Sequence, residues 1–354
     1  MNRILVTGGA GFAGSNLALR LKAARLGTEV IAFDNLKRRG SELALDRLRS
    51  GGVDFVHGDI RVREDLLAQR GLDLILDCAA EPSVLAGRDG SPDYVIQTNL
   101  VGTLHCLELA RREGAGVVLL STSRVYPVAP INALAYRETG TRYELEPDQA
   151  VPGASDHGIA EDFPLDGPRS IYGASKLASE LFVQEYVDAY GLRCVINRCG
   201  VLAGPWQMGK VDQGVVGLWA ARHVYGGPLS YIGFGGAGKQ VRDLLHIGDL
   251  HALLERQLEE LDDLRGEVWN VGGGREVSVS LLELTELCRR ATGRRLDVGS
   301  VPETRPSDLI AYLSDCRRAE ARFGWKPSIM PARIVDDTVR WITDHRQALE
   351  PILT

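Results

Sequence analysis

The sequence predicts an α/β fold with a doubly wound parallel sheet. Three observations support this fold class: the first half alternates short apolar runs with helical patterns, the run at 116–121 is apolar along its length, and the first run enters a glycine-rich turn. Parallel strands that are buried on both faces have this continuous apolar character. The chain has 354 residues, of which 44% are hydrophobic and 25% are charged, so it is long enough for one large or two modest domains.

The first strand and its turn occupy residues 4–14, which read ILVTGGAGFAG. Gly8 permits a tight turn, Gly11 lets the backbone approach a phosphate without an intervening Cβ, and Gly14 lets the following helix pack closely on the strand. The start of that helix offers free N–H groups and a partial positive charge to an anion. We interpret the segment as the pyrophosphate site of a dinucleotide in a Rossmann-type domain.

The second strand, residues 29–33, ends in Asp34, which follows Gly14 by 20 residues. An acid at this distance hydrogen-bonds the ribose hydroxyls of NAD, and its charge would repel the 2′-phosphate of NADP. We therefore predict NAD. Three basic residues that follow could instead bind a 2′-phosphate, which keeps NADP as the alternative: Lys37, Arg38 and Arg39.

The next elements continue the alternation of strands and helices. The third strand, residues 53–57, runs into Asp59, which can reach the adenine amino group from the strand end. Further strands are predicted at 72–78, 116–121 and 193–197, and helices at 95–112 and 172–190. The segment 127–170 lacks periodicity but carries apolar and aromatic residues, so we expect an ordered excursion there.

Composition argues against several classes of function. The net charge of −6 does not favour binding to nucleic acid or to an anionic membrane, and there is no apolar run of 18 residues. A strand begins almost at the N-terminus, so we expect no signal peptide. The six cysteines contain no Cys-x-x-Cys pair, and the histidines match no metal spacing, so we expect buried thiols, a cytoplasmic location and no metal.

Two segments carry the predicted chemistry. The fifth strand ends in Thr122, and the helix downstream begins Tyr172-Gly-Ala-Ser-Lys176. A tyrosine and a lysine four residues apart share one helix face, and an ammonium favours the phenolate form of a nearby phenol. Tyr172 could then act as a general base near neutral pH. Lys176 could also bind the nicotinamide ribose, and the hydroxyl of Thr122 could share the transferred proton.

These motifs together resemble the extended short-chain dehydrogenase/reductase family of nucleotide-sugar epimerases and dehydratases. The resemblance covers nearly the whole chain and includes the later segments 238–249, 270–273 and 305–308. Within the family, the chain is most similar to the CDP-paratose (CDP-tyvelose) 2-epimerases. The segments shared with that subgroup are 33–40, 138–143 and 212–217.

The resemblance implies an NAD-dependent enzyme with a nucleotide-diphosphate sugar as substrate. The 4,6-dehydratases of the family place Asp-Glu directly after the threonine, whereas this chain has Ser123-Arg124, which disfavours dehydration. We therefore predict an epimerase that oxidises and re-reduces C2. The alternatives are a 4-epimerase of UDP- or dTDP-hexoses and, less favoured because Tyr172 and Lys176 are retained, a non-catalytic NAD-binding regulatory protein.

The candidate site residues follow from the motifs and the resemblance. The catalytic set is Thr122, Tyr172 and Lys176. The cofactor-binding set is Gly8, Gly11, Phe12, Ala13, Asp34, Asn35, Arg39, Asp59, Ile60, Ala79, Ala80, Asn99, Tyr172 and Lys176. The substrate-binding set is Ser83, Thr122, Asn197, Gln207, Gln213, Arg242 and Arg305, in which the two arginines are the expected diphosphate ligands.

The same reasoning predicts the domain organisation. Residues 1–200 form an NAD-binding Rossmann domain that includes the excursion 127–170. Residues 201–354 form a smaller mixed α/β C-terminal substrate-binding region, from which 241–271 return to the first domain. The family resemblance also implies a homodimer through the helices at 92–112 and 172–190.

Overall fold

The computed structural model describes residues 1–211 and 213–354, which form two compact units. Asp212, the first residue of the subgroup segment 212–217, lies outside the described residues. Unit 1 comprises Met1–Val125, Ser170–Arg198 and His251–Trp269. Unit 2 comprises Tyr126–Arg169, Cys199–Leu250 and Asn270–Thr354. The excursion therefore belongs to unit 2, and the segment that returns to unit 1 is shorter than the predicted 241–271.

The strands and helices of the described chain alternate through unit 1 and follow a more mixed order in unit 2. The strands are β1 (Arg3–Thr7), β2 (Glu29–Asp34), β3 (Asp54–His57), β4 (Leu74–Asp77), β5 (Gly116–Thr122), β6 (Tyr136–Glu138), β7 (Tyr143–Leu145), β8 (Ala154–Ser155), β9 (Gly158–Ile159), β10 (Cys194–Cys199), β11 (Val201–Ala203), β12 (Leu229–Ile232), β13 (Val241–His246), β14 (Glu267–Val271), β15 (Ser278–Ser280), β16 (Val298–Val301) and β17 (Ala311–Tyr312). The helices are α1 (Phe12–Ala24), α2 (Ala44–Ser50), α3 (Arg63–Leu67), α4 (Asp93–Ile96), α5 (Gly102–Glu113), α6 (Val128–Asn132), α7 (Ile171–Tyr190), α8 (Val215–Tyr225), α9 (Ile247–Glu259), α10 (Leu261–Leu264), α11 (Leu281–Thr292), α12 (Arg317–Phe323), α13 (Pro331–Asp344) and α14 (Arg346–Leu353).

The main sheet has the order β14-β10-β5-β4-β1-β2-β3. Strand β1 pairs in parallel with β2 and β4, and the parallel pairing continues from β2 to β3 and from β4 to β5. Strands β2 and β3 lie on one side of β1, and β4, β5, β10 and β14 lie on the other. The strand order therefore reverses between β1 and β4, which makes this position a topological switch point. Ligands bind at the carboxyl ends of strands at such a point. The predicted fold class is confirmed.

Apolar strands that are buried on both faces form the core of unit 1. The side chains of Ile4, Leu5 and Val6 in β1 are fully buried, as are Ile75 in β4 and Val117 in β5. Burial of this kind stabilises a sheet by about 25 cal/mol per Å² of apolar surface removed from water. The central strands therefore hold the carboxyl ends, where the candidate site residues lie, in fixed positions.

The helix predicted at 95–112 is divided in the structure. The short helix α4 leads into a wide π-type turn over Gln97–Val101, and α5 begins at Gly102. A side chain at Gly102 would come within 2.9 Å of Ile60, so glycine allows this helix to lie close to the loop after β3. Wide turns of this type often occur at functional sites, and this one carries Asn99.

Unit 2 contains a small sheet in which β13 pairs with β11, β15 and β17. A second pair, β12 and β16, is parallel. The excursion is ordered, as predicted: it consists of α6, the hairpin β6–β7 and the hairpin β8–β9. Within the described residues, no helix has the length and apolar character needed to cross a membrane.

Candidate active site

The glycine turn after β1 has the geometry that a bound pyrophosphate requires. Gly8 adopts a φ of +60°, and a Cβ there would lie 2.9 Å from the Cα of Ala79. A Cβ on Gly14 would lie 2.1 Å from the carbonyl oxygen of Gly8, so only glycine lets α1 start this close to the turn. A Cβ on Gly11 would meet only that same carbonyl, at 3.1 Å, so the helix start is otherwise open to a ligand. Phe12 and Ala13 supply the first N–H groups of α1 and are partly exposed.

Asp34 ends β2 beside this turn. Its carboxylate accepts hydrogen bonds from the backbone N–H groups of Ala10, at 3.1 Å, and Leu36, at 2.8 Å. Burial raises the pKa of Asp34, and these backbone donors partly offset the effect. Each carboxylate oxygen has further acceptor capacity, so both can accept bonds from ribose hydroxyls.

Asn35, the residue after Asp34, connects β2 to Asp59. Its side-chain amide donates to the Asp59 carboxylate at 3.0 Å. Arg61 also binds this carboxylate, with one bond of 2.6 Å, and this hydrogen bonding holds the pKa of Asp59 well below its usual range. Ile60 is buried, and its carbonyl contacts His105. The Asp59 carboxylate, which the sequence predicts to contact adenine, is therefore held in its charged form by Asn35 and Arg61.

The basic residues after Asp34 were the sequence argument for NADP. The ammonium of Lys37 lies 3.3 Å from the centre of the Tyr94 ring, a cation–π contact. Arg39 is exposed on the same turn. The Lys37 ammonium is thus directed onto the Tyr94 ring, while the Asp34 carboxylate lies beside the glycine turn, as expected for NAD.

The loop after β4 forms another side of the site. The N–H of Ala79 donates to the Thr7 hydroxyl at 3.2 Å, and Ala80 is exposed. The side chain of Asn99 accepts from the N–H of Glu81 at 2.8 Å and donates to the Ser175 hydroxyl at 3.1 Å. Asn99 therefore fastens this loop to α7.

Ser83, a candidate substrate ligand, follows in the same loop. It is 5% exposed, and its hydroxyl accepts from the N–H of Leu85 at 3.2 Å. This contact holds the Ser83 hydroxyl within the loop after β4.

The three candidate catalytic residues lie on β5 and α7, which pack against each other in unit 1. Thr122 is the last residue of β5, and its hydroxyl oxygen accepts from the N–H of Arg124 at 3.1 Å. Tyr172 and Lys176 are buried in the first turns of α7. The hydroxyl of Ser170 caps this helix by accepting from the N–H of Gly173 at 3.1 Å. The cap fixes the start of α7 and hence the direction of the tyrosine and lysine side chains.

Lys176 provides the test of whether the site fits a dinucleotide. The residue is 1% exposed, and within the described chain its Nζ has no hydrogen-bond partner. A buried ammonium without a partner is unfavourable unless a ligand supplies oxygen atoms. Together with the open helix start at Gly11 and the carboxylate of Asp34, this ammonium fits NAD, whose nicotinamide ribose would provide those oxygens.

Unit 2 contains the expected diphosphate ligands. The guanidinium of Arg242 donates to the Asp308 carboxylate at 2.6 Å and to the carbonyl of Val241 at 2.7 Å. Arg305 donates to the carbonyl of Val211 at 3.4 Å. A guanidinium has five N–H donors, so Arg242 can hold Asp308 and still bind a phosphate oxygen.

Gln207 and Gln213 lie in the loop between β11 and α8. The amide of Gln207 donates to the carbonyl of Leu202 at 2.7 Å, and Gln213 bonds Lys210 through the backbone. Trp206 in the same loop adopts a φ of 75° and packs on Trp341, with ring centres 5.7 Å apart. Trp206 therefore connects its part of the loop to α13.

Asn197 does not fit the expected contact with substrate. It is fully buried, and its amide exchanges two hydrogen bonds of 2.8 Å with the amide of Gln257. Both polar atoms of the side chain are thus used to join β10 to α9. We assign Asn197 a structural role and no longer include it among the substrate ligands.

Sequence reasoning missed a buried ion pair between Glu180 and Arg198, in which Ser121 also takes part. The signal was present in part: Glu180 lies two helical turns after Tyr172 and one turn after Lys176, so all three share a face of α7. The spacing of residues along α7 does not indicate that Arg198 on β10 is the partner of Glu180. For metals, no cluster of ligand-type side chains occurs in residues 1–211 and 213–354.

Comparisons with known proteins give a consistent picture. A family model described as the NAD dependent epimerase/dehydratase family matches residues 4–272. The chain is 32% identical to a CDP-paratose 2-epimerase of Salmonella typhi, over 96% of this chain and 98% of that protein. It is 31% identical to a dTDP-glucose 4,6-dehydratase of Streptomyces niveus, over 99% and 95% of the two chains. A structure of a DesIV double mutant, a dTDP-glucose 4,6-dehydratase from Streptomyces venezuelae with NAD and DAU bound, matches with a TM-score of 0.79 and 30% identity over 99% of both chains.

Proposed function

This chain belongs to the NAD-dependent epimerase/dehydratase family, whose cofactor is NAD, and we propose that it is an epimerase acting at C2 of a nucleotide-diphosphate hexose. The proposed substrate is of the CDP-paratose type. The similarity to a CDP-paratose 2-epimerase over 96% of the chain supports this choice, as do the subgroup segments 33–40 and 138–143.

The observation that carries the proposal is the pair of residues after Thr122. Ser123 and Arg124 stand where the resemblance places the Asp-Glu pair of the 4,6-dehydratases. A serine hydroxyl and a guanidinium cannot protonate a leaving hydroxyl and abstract a carbon-bound proton, because neither titrates near neutral pH. The chain therefore keeps the residues for oxidation and lacks those for elimination.

Residues of unit 1 carry out the proton transfer. The Tyr172 phenolate accepts the proton of the sugar hydroxyl, and the ammonium of Lys176 stabilises that phenolate. We assign Thr122 to relay the proton, because its oxygen accepts from the N–H of Arg124 and a hydroxyl can accept and donate at the same time. NAD, when bound, supplies a reversible hydride acceptor for the adjacent carbon.

Inversion requires that the keto sugar turn over before it is reduced again. We assign Arg242 and Arg305 the task of holding the diphosphate, since a guanidinium forms paired charge-assisted bonds to phosphate. Asp308 orients Arg242 by the bond of 2.6 Å. We assign Gln207, Gln213 and Ser83 to the sugar or base.

The second candidate is a 4-epimerase of UDP- or dTDP-hexoses. The same Thr122, Tyr172 and Lys176 would serve it, and only the position of the sugar differs. A non-catalytic NAD-binding protein is less well supported, because the chain retains Tyr172, a general base that cofactor binding alone does not require.

We also propose a cytoplasmic homodimer. All six cysteines are thiols, as expected in a reducing compartment. The helices at 92–112 and 172–190 expose apolar side chains of unit 1, with Leu181 at 56%, Phe182 at 42% and Ile96 at 36% exposure. Contiguous exposed apolar surface marks interfaces, and Leu181 and Phe182 are adjacent on α7.

The deciding experiment is incubation of the purified protein with CDP-, UDP- and dTDP-hexoses, followed by NMR of the product stereochemistry. Inversion at C2 of a CDP-linked sugar is the expected result. Inversion at C4 would move the assignment to the second candidate. A 4-keto-6-deoxy product would show a dehydratase, and no turnover of any member of the panel would contradict an epimerase of these sugars.

A further inference from the structure

Glu180 and Arg198 form an ion pair that is almost completely shielded from water, with side-chain exposures of 2% and 5%. The Nε of Arg198 donates to the two carboxylate oxygens at 3.2 and 3.0 Å, and Nη2 donates at 2.7 Å. The hydroxyl of Ser121 donates to the same carboxylate. Glu180 is therefore fully engaged with β10 and β5.

A second cationic side chain, that of Lys176, lies close to Glu180 in the sequence. Lys176 lies four residues before Glu180 on α7, and side chains at this spacing are neighbours on one helix face. Both residues are buried, which strengthens the attraction between opposite charges. Nevertheless, within the described residues Lys176 Nζ has no partner, and Glu180 binds Arg198.

The preference for Arg198 has a physical reason. A planar guanidinium can donate two parallel bonds to a carboxylate, whereas an ammonium acts as a point charge. The bonds from Arg198 and Ser121 also engage both carboxylate oxygens of Glu180. Without Arg198, the carboxylate would keep only the Ser121 hydroxyl and would be one helical turn from an unpaired ammonium.

We propose that Arg198 is a positioning residue: by holding Glu180, it prevents this carboxylate from pairing with Lys176 and so keeps the ammonium available to Tyr172 and to the cofactor ribose. This inference deepens the proposed function and rests on its assignment of Lys176 and Tyr172. The proposal explains how Glu180 can lie one helical turn from Lys176 without forming an ion pair with it.

The test compares Arg198→Met with Glu180→Gln and with the double variant. Arg198→Met frees Glu180 to pair with Lys176, so we expect NAD affinity to fall about tenfold or more, as for loss of a hydrogen bond to a charged group. Glu180→Gln also breaks the ion pair but leaves no carboxylate to capture Lys176, so NAD affinity should stay near that of the wild type. The double variant should behave like Glu180→Gln, which means that the second substitution rescues the first.

Affinity is measured by titration of cofactor-free protein with NAD, and thermal unfolding of each variant serves as the stability control. A merely structural ion pair predicts equal losses in both single variants and no rescue in the double variant, and that result would overturn the proposal. Arg198→Lys keeps a cation beside Glu180 and should retain most of the affinity; a loss as large as that of Arg198→Met would also overturn it. Arg198→Gln repeats the charge removal with a polar side chain, in case Arg198→Met does not fold.

The pH dependence of turnover gives an independent measurement. When Lys176 is paired with Glu180, its ammonium stabilises the Tyr172 phenolate less, so the phenolate forms only at higher pH. The acid limb of kcat/KM should therefore move to higher pH in Arg198→Met and return to its wild-type position in the double variant. An unmoved limb would contradict the proposal. If the wild type turns over no nucleotide sugar, the proposed function fails, yet the order of NAD affinities still decides this inference.

Discussion

The carboxylate of Asp34 accepts a hydrogen bond of 3.1 Å from the backbone N–H of Ala10, which ties the end of β2 to the glycine turn after β1. One bond thus sets the distance between the carboxylate predicted to bind the ribose and the turn predicted to bind the pyrophosphate. The second carboxylate oxygen accepts from the backbone N–H of Leu36 at 2.8 Å, so both oxygens of Asp34 are held by the backbone.

Asp34→Ala should weaken NAD binding about tenfold or more, because bonds from two ribose hydroxyls to a charged acceptor are lost. It should also reduce the discrimination against NADP, since the repelling charge is gone. Titration of cofactor-free protein with NAD and NADP measures both effects. Asp54→Ala, at an exposed position on β3, is the matched control. A wild type that prefers NADP would show that Arg38 or Arg39 reads the cofactor.

NAD affinity should depend on pH through Asp34. The carboxylate accepts ribose hydroxyls only when ionised, so affinity should be constant well above its pKa and fall as the pH drops through it. Because burial raises this pKa, the midpoint should lie above the ordinary aspartate value of about 3.9. Titrations at several pH values test this, and Asp34→Asn should abolish the dependence. An identical midpoint in that variant would assign it to another group.

Tyr172→Phe removes the proposed general base and keeps the ring, so kcat should fall by about 10²–10⁴-fold while NAD still binds. Steady-state kinetics and the NAD titration check the two halves of this statement. Tyr190→Phe is the matched control, because Tyr190 lies on the same helix and is 57% exposed. Activity of Tyr172→Phe within twofold of the wild type would refute the assignment.

A substrate deuterated at C2 should give an inverted product that keeps the label at C2, because oxidation and reduction use the same hydrogen. NMR and mass spectrometry of the product measure the label, and added NADH should not be consumed. Loss of the label to water would indicate proton abstraction beside a carbonyl. Inversion at C4 without exchange at C2 would support the 4-epimerase.

Light scattering should give the mass of a dimer at micromolar concentration. Leu181→Glu combined with Phe182→Glu places charges on the exposed apolar face of α7 and should shift the protein towards monomers. Leu26→Glu, at a position that is 96% exposed on unit 1, is the matched control. A monomeric wild type would contradict the proposal.

Much of the fold could be predicted because its signals are local. The strand at 116–121, the helix at 172–190 and the glycine turn each carry a pattern that spans only a few residues, and the structure places an element at each. The wide turn at Gln97–Val101 was not predicted, because helical periodicity continues through it and only its contacts with neighbouring segments distinguish it.

The candidate site likewise contains residues that a local pattern predicts and one residue that it does not. Asp34, Tyr172 and Lys176 follow from spacing along a single strand–turn–helix or helix. The role of Asn197 was assigned from its place at the end of a strand, and the structure replaced that role because its partner, Gln257, is 60 residues away in sequence.

The sequence by itself determined the cofactor turn, the tyrosine–lysine pair and the absence of the dehydratase acids, because each depends only on which residues follow one another. Only the tertiary structure decided which partner each of these charges contacts. Lys37 lies on the ring of Tyr94, and Glu180 binds Arg198 in preference to Lys176. The reason is that the sheet order brings β10 and β5 together against α7, and the geometry of that packing selects the partner of each buried charge.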